Sequence, residues 1–260
     1  MNPETFIRAG SFITMLVVMG TAETLWPRRT LDVSKTRRWF SNISISVLST
    51  VLVRILIPII PTSLALYCEE HGLGLLSLLS LPDWLSVVVG VLLLDMTIYW
   101  QHVAFHRQRL LWRIHRMHHI DTNIDASTGI RFHPIEIILS MLIKLTVILL
   151  LGPPAIAVII FEILLNGCAL FNHANVHLPT GKDSILRLLV VTPDMHRVHH
   201  STDMREANMN YGFNFPWWDR LFGTYKAQPD LGHDAMHIGL TIFRDAAFVR
   251  LSKMLMIPFL

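Results

Sequence analysis

Long apolar runs, more than any alternation of apolar and polar positions, organise this chain. A helix that crosses a bilayer needs about 20 mostly apolar residues. Four stretches approach that length: Phe6 to Trp26, Ile43 to Tyr67, Trp84 to Trp100 and Pro134 to Phe171. Each carries few charges, among them Glu23, Arg54 and Asp95. The last stretch is long enough to cross twice, and Gly152-Pro153-Pro154 interrupts it. Proline cannot continue a helix and glycine permits a tight reversal, so this stretch reads as a hairpin of two helices. The pattern predicts an all-α integral membrane bundle of four to five apolar helices. The hairpin and the first segment are the ones most open to being re-entrant instead of complete crossings. A final stretch, Leu240 to Leu260, mixes Phe, Leu and Met with Arg244, Arg250 and Lys253. It predicts an amphipathic interfacial helix and not a sixth crossing.

Charge placement sharpens this picture. Nineteen of the 22 Lys and Arg fall in three segments, Pro27–Trp39, Gln101–His133 and Asn172–Leu260. The intervening loops Cys68–Asp83 and Gly152–Pro154 hold none. Five crossings place all three basic segments on one side, which the positive-inside rule assigns to the cytosol. Arg8 is then the one basic residue on the far side. The whole chain is a single membrane domain of 260 residues. Helices occupy 1–100, a first His-rich segment 101–134, the hairpin 135–172, and a second His-rich segment with the interfacial helix 173–260. Composition agrees: 52% of residues are hydrophobic and 16% charged, which excludes disorder. Two distant cysteines, Cys68 and Cys168, exclude a disulfide framework. A net charge of +3 without a basic, aromatic-laced stripe argues against nucleic acid. No cleavable leader is expected, because Glu4 precedes the first apolar stretch and no small-residue cleavage site follows.

Ten of the 14 histidines form four tight groups. His102 and His106 make H-x-x-x-H; His115, His118 and His119 make H-x-x-H-H; His173 and His177 repeat the first pattern; His196, His199 and His200 repeat the second. Residues at i, i+3 and i+4 share a helix face, so each group is expected to aim at one point. All four lie at one depth on the basic side. Neutral imidazole is the commonest metal ligand and suits iron, zinc, copper and nickel. Ten ligands exceed one ion and match two, each with five nitrogens and an open position. A lone H-x-x-x-H is weak evidence, but four groups on one side are not coincidence. A pH sensor needs far fewer histidines. A metal transporter places ligands along a path near the bilayer midplane, and the zinc-protease pattern H-E-x-x-H is absent.

The order of these groups resembles that of the fatty acid hydroxylase/sterol desaturase superfamily. So do His118-His119-Ile-Asp121-Thr-Asn-Ile-Asp125, Arg131-Phe-His133-Pro-Ile-Glu136, and His196-Arg197-Val-His199-His200-Ser201. The run Asn210-Tyr-Gly-Phe-Asn-Phe-Pro-Trp-Trp-Asp219-Arg-Leu-Phe-Gly-Thr-Tyr225 is similar to bacterial members. The resemblance covers Leu92 to Tyr225. It implies a helical membrane bundle with a cytosolic helical cap, two iron ions, and hydroxylation or desaturation of a lipid such as a fatty acyl lipid or sterol, using dioxygen and two electrons. Zinc is able to replace iron in a purified protein, since it stands higher in the affinity order.

Other residues have expected supporting roles. Asp95, seven residues before His102, is expected to hydrogen-bond a ligand imidazole, fixing its tautomer, or else to pair with Arg54 or Lys144. Asp121 and Asp125 support ligands in the same way or cap a helix; Asn175 orients a ligand or ends a helix. Glu162 is expected in a polar interhelical contact. His133 is structural or supports a ligand, His71 lies across the membrane, and His233 and His237 sit on a surface tail. Trp217-Trp218-Asp219 closes the site, meets the lipid interface, or packs as a turn. No flavin or dinucleotide fingerprint and no Cys cluster occurs, so an external electron donor or reductase is the expected partner, alongside O2 and a lipophilic substrate from the bilayer. The terminal Met-Ile-Pro-Phe-Leu is not a retention signal of the Lys-Asp-Glu-Leu type, which favours a bacterial inner membrane. Hydroxylation is favoured over desaturation; the reading from a different class is a membrane zinc-binding or transport protein.

Overall fold

In the computed structural model, residues 3–260 are described. Helices dominate: α1 (Pro3–Leu25), α2 (Lys35–Leu56), α3 (Pro61–His71), α4 (Leu75–Leu78), α5 (Asp83–Arg107), α6 (Arg109–His119), α7 (Pro134–Leu151) and α8 (Ala155–His173). The shorter α9 (Thr180–Leu186) and α10 (Pro193–His199) follow, and then several one-turn helices. Among the described residues there is no strand; two isolated bridges join Pro27 to Val176 and Ser201 to Ile238. Five helical stretches are long and apolar enough to cross a membrane. Large apolar side chains such as Phe6, Val17, Val47 and Ile55 remain more than half exposed on them. A soluble monomer rarely shows so continuous an apolar surface, whereas a lipid-facing bundle requires it.

The helix limits follow from local chemistry. Ser34 caps α2 by accepting from the Arg37 N–H. The second apolar run, expected to be continuous from Ile43 to Tyr67, is two helices. It breaks at Ile57–Ile60, because Pro58 removes an N–H and Pro61 restarts the helix from its favoured first position. Helix α7 opens on Pro134 and ends at Gly152, whose φ is +57°. Pro153 and Pro154 then hold the chain extended until α8 begins, so the hairpin forms as expected. Gly152 is also a close approach. A Cβ there would lie 2.0 Å from the Leu73 carbonyl oxygen, and one on Gly74 would lie 2.2 Å from the Gly152 nitrogen. The loop before α4 thus sits directly on the hairpin turn, where only glycine fits.

The bundle core joins α3, α5, α7 and α8 through Ala65, Val91, Leu94, Ile148, Val158 and Phe161. Charges within it are paired. Glu162 accepts from Lys144 (2.8 Å) and faces Arg8 (2.7 Å), the polar interhelical contact expected of it. Arg38 at the start of α2 is fully buried. It donates to Asp121 at 2.6 and 3.2 Å, to Asp125, and to Thr128. Asp125 also caps the 3-10 turn Ala126–Ile130 in a capping box. This cluster ties α2 to the segment just after α6.

The chain beyond α8 folds over one end of the bundle as a cap. The final stretch is not one amphipathic helix. It is a 3-10 turn (Ala246–Val249), a short helix (Leu251–Met256) and another 3-10 turn (Ile257–Phe259). Leu240, Met254 and Ile257 pack into a core with Ile45, Met117 and Ile120. Nor is the preceding tail all surface: His233 is buried and His237 exposed. Arg250 breaks the periodicity by adopting an extended backbone (ψ 138°).

Replacing Arg38 with Met leaves two buried carboxylates without their cation. The expected loss is about 3–5 kcal/mol of stability, read from denaturant unfolding in detergent. Removing the exposed Arg205 side chain, which pairs with Asp203, should leave the midpoint unchanged.

Candidate metal centre

Four elements converge where the bundle meets the cap. Helix α5 carries His102 and His106 on successive turns. The chain turns at Gln108, in an extended conformation, and α6 carries His115, His118 and His119. His173 ends α8, and α10 brings His196, His199 and the following His200. Nine buried imidazoles meet there in two groups, the ligand atoms in each lying within 4.8 Å of one another. The first holds His102, His106, His115, His119 and His199; the second holds His118, His173, His196 and His200.

Two expectations are corrected here. Each H-x-x-H-H box serves both groups. The first box gives its i and i+4 residues, His115 and His119, to the first group and His118 to the second. The other box does the reverse, giving His196 and His200 to the second group and His199 to the first. Adjacent helical residues point about 100° apart, enough for one turn to address two centres. The tenth expected ligand, His177, is in neither group. Its spacing from His173 assumed a continuing helix, but Ala174 turns extended (ψ 138°) and α8 stops. His177 is exposed. Its N–H donates to the Trp26 carbonyl, and its ring lines a surface groove with Trp26, Pro27, Pro179 and Lys182.

The hydrogen bonds identify which nitrogens face inward. Nδ1 of His102 lies 2.8 Å from the Tyr211 carbonyl oxygen, that of His199 lies 2.8 Å from Met209 O, and that of His115 lies 2.7 Å from Glu136 Oε1. Nδ1 of His118 meets Arg131 O at 3.1 Å, and that of His173 meets Ala169 O at 2.7 Å. These oxygens only accept, so in each neutral ring the proton is on Nδ1 and Nε2 carries a lone pair. Nε2 of His102, His115 and His199 is buried without a partner. Nε2 of His118 and His173 are 3.1 Å apart, lone pair toward lone pair. That is repulsive for two bare imidazoles. It is the spacing of two ligands on one ion, roughly 3.0–3.4 Å for bonds near 2.1 Å. The donor set therefore fits a metal ion in each group.

Burial holds five of these imidazoles, on α6 and at α10, neutral. It pushes His118, His119, His196 and His200 well below the usual histidine range, and neighbouring imidazoles push the same way. His199 falls to about 3, chiefly through burial. Neutral nitrogen is the form that binds metal.

The acceptors behind the ligands differ from those expected. Asp95 does not touch His102. Its Oδ2 accepts from Trp218 Nε1 at 2.7 Å, so it pins the Trp217-Trp218 turn, and neither Arg54 nor Lys144 is its partner. Asp121 is bound to Arg38 and Thr128. Asn175 exchanges hydrogen bonds with the Arg29 backbone (3.0 and 2.7 Å), tying the α1–α2 link to the site. His133 is structural, as one expectation had it: it caps α7 and approaches the Leu255 carbonyl. His71 stacks on Tyr67 and is exposed. The unanticipated supports are Glu136 and Asp219. Buried Asp219 accepts from the Tyr211 and Gly212 N–H groups, both at 2.8 Å, and from Thr224 at 2.7 Å. It fixes the peptide whose carbonyl holds His102, and burial lifts its carboxyl to about 6. Asn210, at φ +53°, sits between the two carbonyls that hold His199 and His102. Its side chain is locked by Met195 O and by the Lys226 backbone.

The family model of fatty acid hydroxylases matches residues 87–224, a span containing all nine clustered histidines. This chain belongs to the fatty acid hydroxylase family. Ornithine lipid hydroxylase OlsE of Rhizobium tropici is 32% identical over 148 residues, 57% of this chain and 44% of that protein. Human alkylglycerol monooxygenase is 30% identical over 146 residues, 56% of this chain and 31% of its own. The very-long-chain aldehyde decarbonylase GL1-11 of rice (Oryza sativa subsp. indica) is 29% identical over 171 residues, 64% of each chain. The matched segment spans less than half the length of the first two relatives. No solved structure matches. The protein is thus a membrane-embedded relative of lipid-modifying oxygenases.

Two outcomes test this centre. His118→Ala and His199→Ala should each lower bound metal, measured by elemental analysis, whereas His177→Ala should retain it. Glu136→Leu should weaken metal retention against a chelator by about 10–100-fold. Acid should also unfold the metal-free protein. The cap histidines have folded pKa values below the unfolded value near 6.5, so the unfolded state binds more protons once the pH drops below it. Stability of the apoprotein should be flat above about pH 7.5 and fall from about 6.5 downward, read from unfolding midpoints.

Proposed function

We propose that this chain is a membrane di-iron oxygenase that uses O2 and two electrons to hydroxylate a lipophilic substrate. The observation that carries this reading is a cavity of about 260 Å³ that reaches both histidine groups. Its wall includes His102 and His115 of the first group and His118 of the second. From there it extends between α2, α5, α7 and α8, lined by Ile98, Phe105, Phe132, Met141, Leu165 and Phe213. A lipid chain entering from the bilayer would lie against the histidines without passing through water.

Iron held by the two groups would supply the chemistry that activates O2 and cleaves an unactivated C–H bond. The chain's own residues do the rest. Phe132, stacked on His118 at 4.5 Å, and Phe213 wall the cavity beside the ligands and keep water from it. Tyr211 O, Met209 O, Arg131 O, Ala169 O and Glu136 hold the imidazoles in one tautomer and one orientation. Hydroxylation balances as one substrate C–H, O2, two electrons and two protons giving one alcohol and one water. The names of the hydroxylase and monooxygenase relatives support it over desaturation. The electrons come from a separate donor. The basic residues of the cap suit an acidic one, and they support placing the histidine end on the cytosolic side of a bacterial inner membrane.

The protein, expressed with iron and purified without oxygen, is to be given a chemical reductant, a lipid extract and ¹⁸O2. An ¹⁸O-labelled lipid that disappears in His199→Ala is the expected result. An absence of any labelled or unsaturated product, together with zinc flux into vesicles, would favour the binding or transport reading instead.

A further inference from the structure

Apolar surface is not confined to the membrane helices. On the cap, Ile185, Leu188 and Leu189, at and just beyond the end of α9, are more than half exposed, as is Leu221 in the one-turn helix Trp217–Leu221. Trp217 and Phe222 are exposed beside it. These two pieces form one surface: Trp217 Nε1 donates to the Leu188 carbonyl at 2.7 Å, and Arg220 to that of Arg187 at 3.3 Å. A water-facing surface seldom carries such a patch without a partner. The neighbouring membrane helix indicates which partner. Phe222 stacks on Tyr99 and meets Trp100, ring centroids 5.4 and 4.7 Å apart, and Trp218 reaches Asp95, the middle residue of α5. Exposed Trp84 and Trp100 stand about 24 Å apart along that helix at 1.5 Å per residue. A hydrocarbon core is about 30 Å thick. With Trp84 at one boundary, where tryptophan is favoured, Trp100 lies inside the opposite one, and the cap edge packed against it lies at the same depth.

Backbone and charge agree with that depth. Hydrocarbon tolerates irregular backbone only where its polar groups are paired. Each N–H from Arg187 to Val190 donates to a carbonyl of the preceding turn, and the Arg187 and Leu188 carbonyls accept from the side chains just named. Both acids of the edge are buried: Asp183 is paired with Arg187, and Asp219 is bonded to the Tyr211 and Gly212 backbone. The charges it exposes, Lys182 and Arg220, are both cationic. Anionic headgroups attract such cations at a membrane surface. We propose that this edge of the cap, Ile185 to Leu189 with Trp217 to Phe222, is inserted in the leaflet at the histidine end, its apolar side chains among the acyl chains and Lys182 and Arg220 among anionic headgroups. The Trp217-Trp218-Asp219 run thus meets lipid on one side and packs as a turn on the other. The leaflet braces the cap beside the peptide that holds His102, to which Asp219 joins it.

The test uses the unaltered full chain in lipid nanodiscs and two footprinting reagents read by peptide mapping. One is a phosphatidylcholine with a diazirine in its acyl chain; the other is hydroxyl radical generated in the water. The lipid reagent should label Ile185–Leu189 and Trp217–Phe222. Hydroxyl radicals should oxidise Leu221 several-fold less than Leu231, a similarly exposed leucine of the cap. Oxidation of Leu221 as strong as that of Leu231, or no lipid labelling of either segment, overturns the proposal. Protection from both reagents overturns it too, because it marks a second copy of this chain on the patch. With a diazirine phosphatidylglycerol in place of the phosphatidylcholine, labelling of the α9 segment should rise about fivefold. Lys182→Gln combined with Arg220→Gln should return it to the phosphatidylcholine level. Equal labelling of the unaltered chain by the two lipids overturns the role of the two cations, a result that needs no variant to fold. A rise that survives both substitutions overturns it as well.

Discussion

Nine imidazoles packed together out of water are the constraint on which this structure depends. A buried imidazole needs a partner for each nitrogen, and here five rings already give their Nδ1 proton to fixed acceptors. Their remaining lone pairs point at one another. A cation between them would turn that repulsion into attraction, so each group is built as a place that could hold a metal ion. Burial, which favours the neutral ring, and metal binding, which requires it, pull in the same direction. The lipid-facing helices contribute rigidity and position: α5 and α8 end where the ligands begin.

The allocation of ligands strengthens the link between the halves of the chain. Each H-x-x-H-H box contributes to both groups in opposite proportion, so neither centre belongs to a single segment. The first group needs α10 for His199; the second needs α6 for His118. The two H-x-x-H-H segments, about 80 residues apart, thus meet in both groups. Loss of one box would impair both centres, a coupling that a one-box, one-ion arrangement would lack.

Much of this was legible in the sequence, and the failures share a physical cause. Apolar run length located the membrane helices, and Gly152-Pro153-Pro154 located the hairpin. Histidine spacing found nine of the clustered residues, because helical periodicity is local. The misplaced residues all turned on what the chain does next or on a distant partner. His177 required α8 to continue, and Ala174 ended it. The continuous second helix required Pro58 to be tolerated. Asp95 is expected beside His102, two turns along the same helix face, or paired with Arg54 or Lys144, yet its partner Trp218 lies 123 positions along. Asp121 had a candidate role beside the histidines, but Arg38, from the opposite helix, claims it. The most important supports were invisible for a different reason. They are main-chain carbonyls of Met209, Tyr211, Arg131 and Ala169, and a carbonyl has no letter in the sequence.

That dependence on carbonyls explains why the cap is so irregular. Inside a regular helix every carbonyl but the last few is already engaged. Ala169 can serve His173 because they lie one turn apart at the end of α8, where a side-chain donor shares the helical acceptor. His102, His118 and His199 use free carbonyls, which non-helical backbone provides. Asn210 shows how the chain delivers them. A left-handed residue reverses the local direction of the backbone, so that the carbonyls on either side, Met209 O and Tyr211 O, both reach histidines of the first group. Glycine would adopt that conformation more easily but would have no side chain to secure it. Asparagine tolerates it and its amide bonds three backbone groups. The short turns after α8 are therefore the means by which a helical membrane protein supplies acceptors to its clustered histidines, with the buried Asp219 holding that irregular cap in one conformation and Arg38 doing the same for the segment after α6.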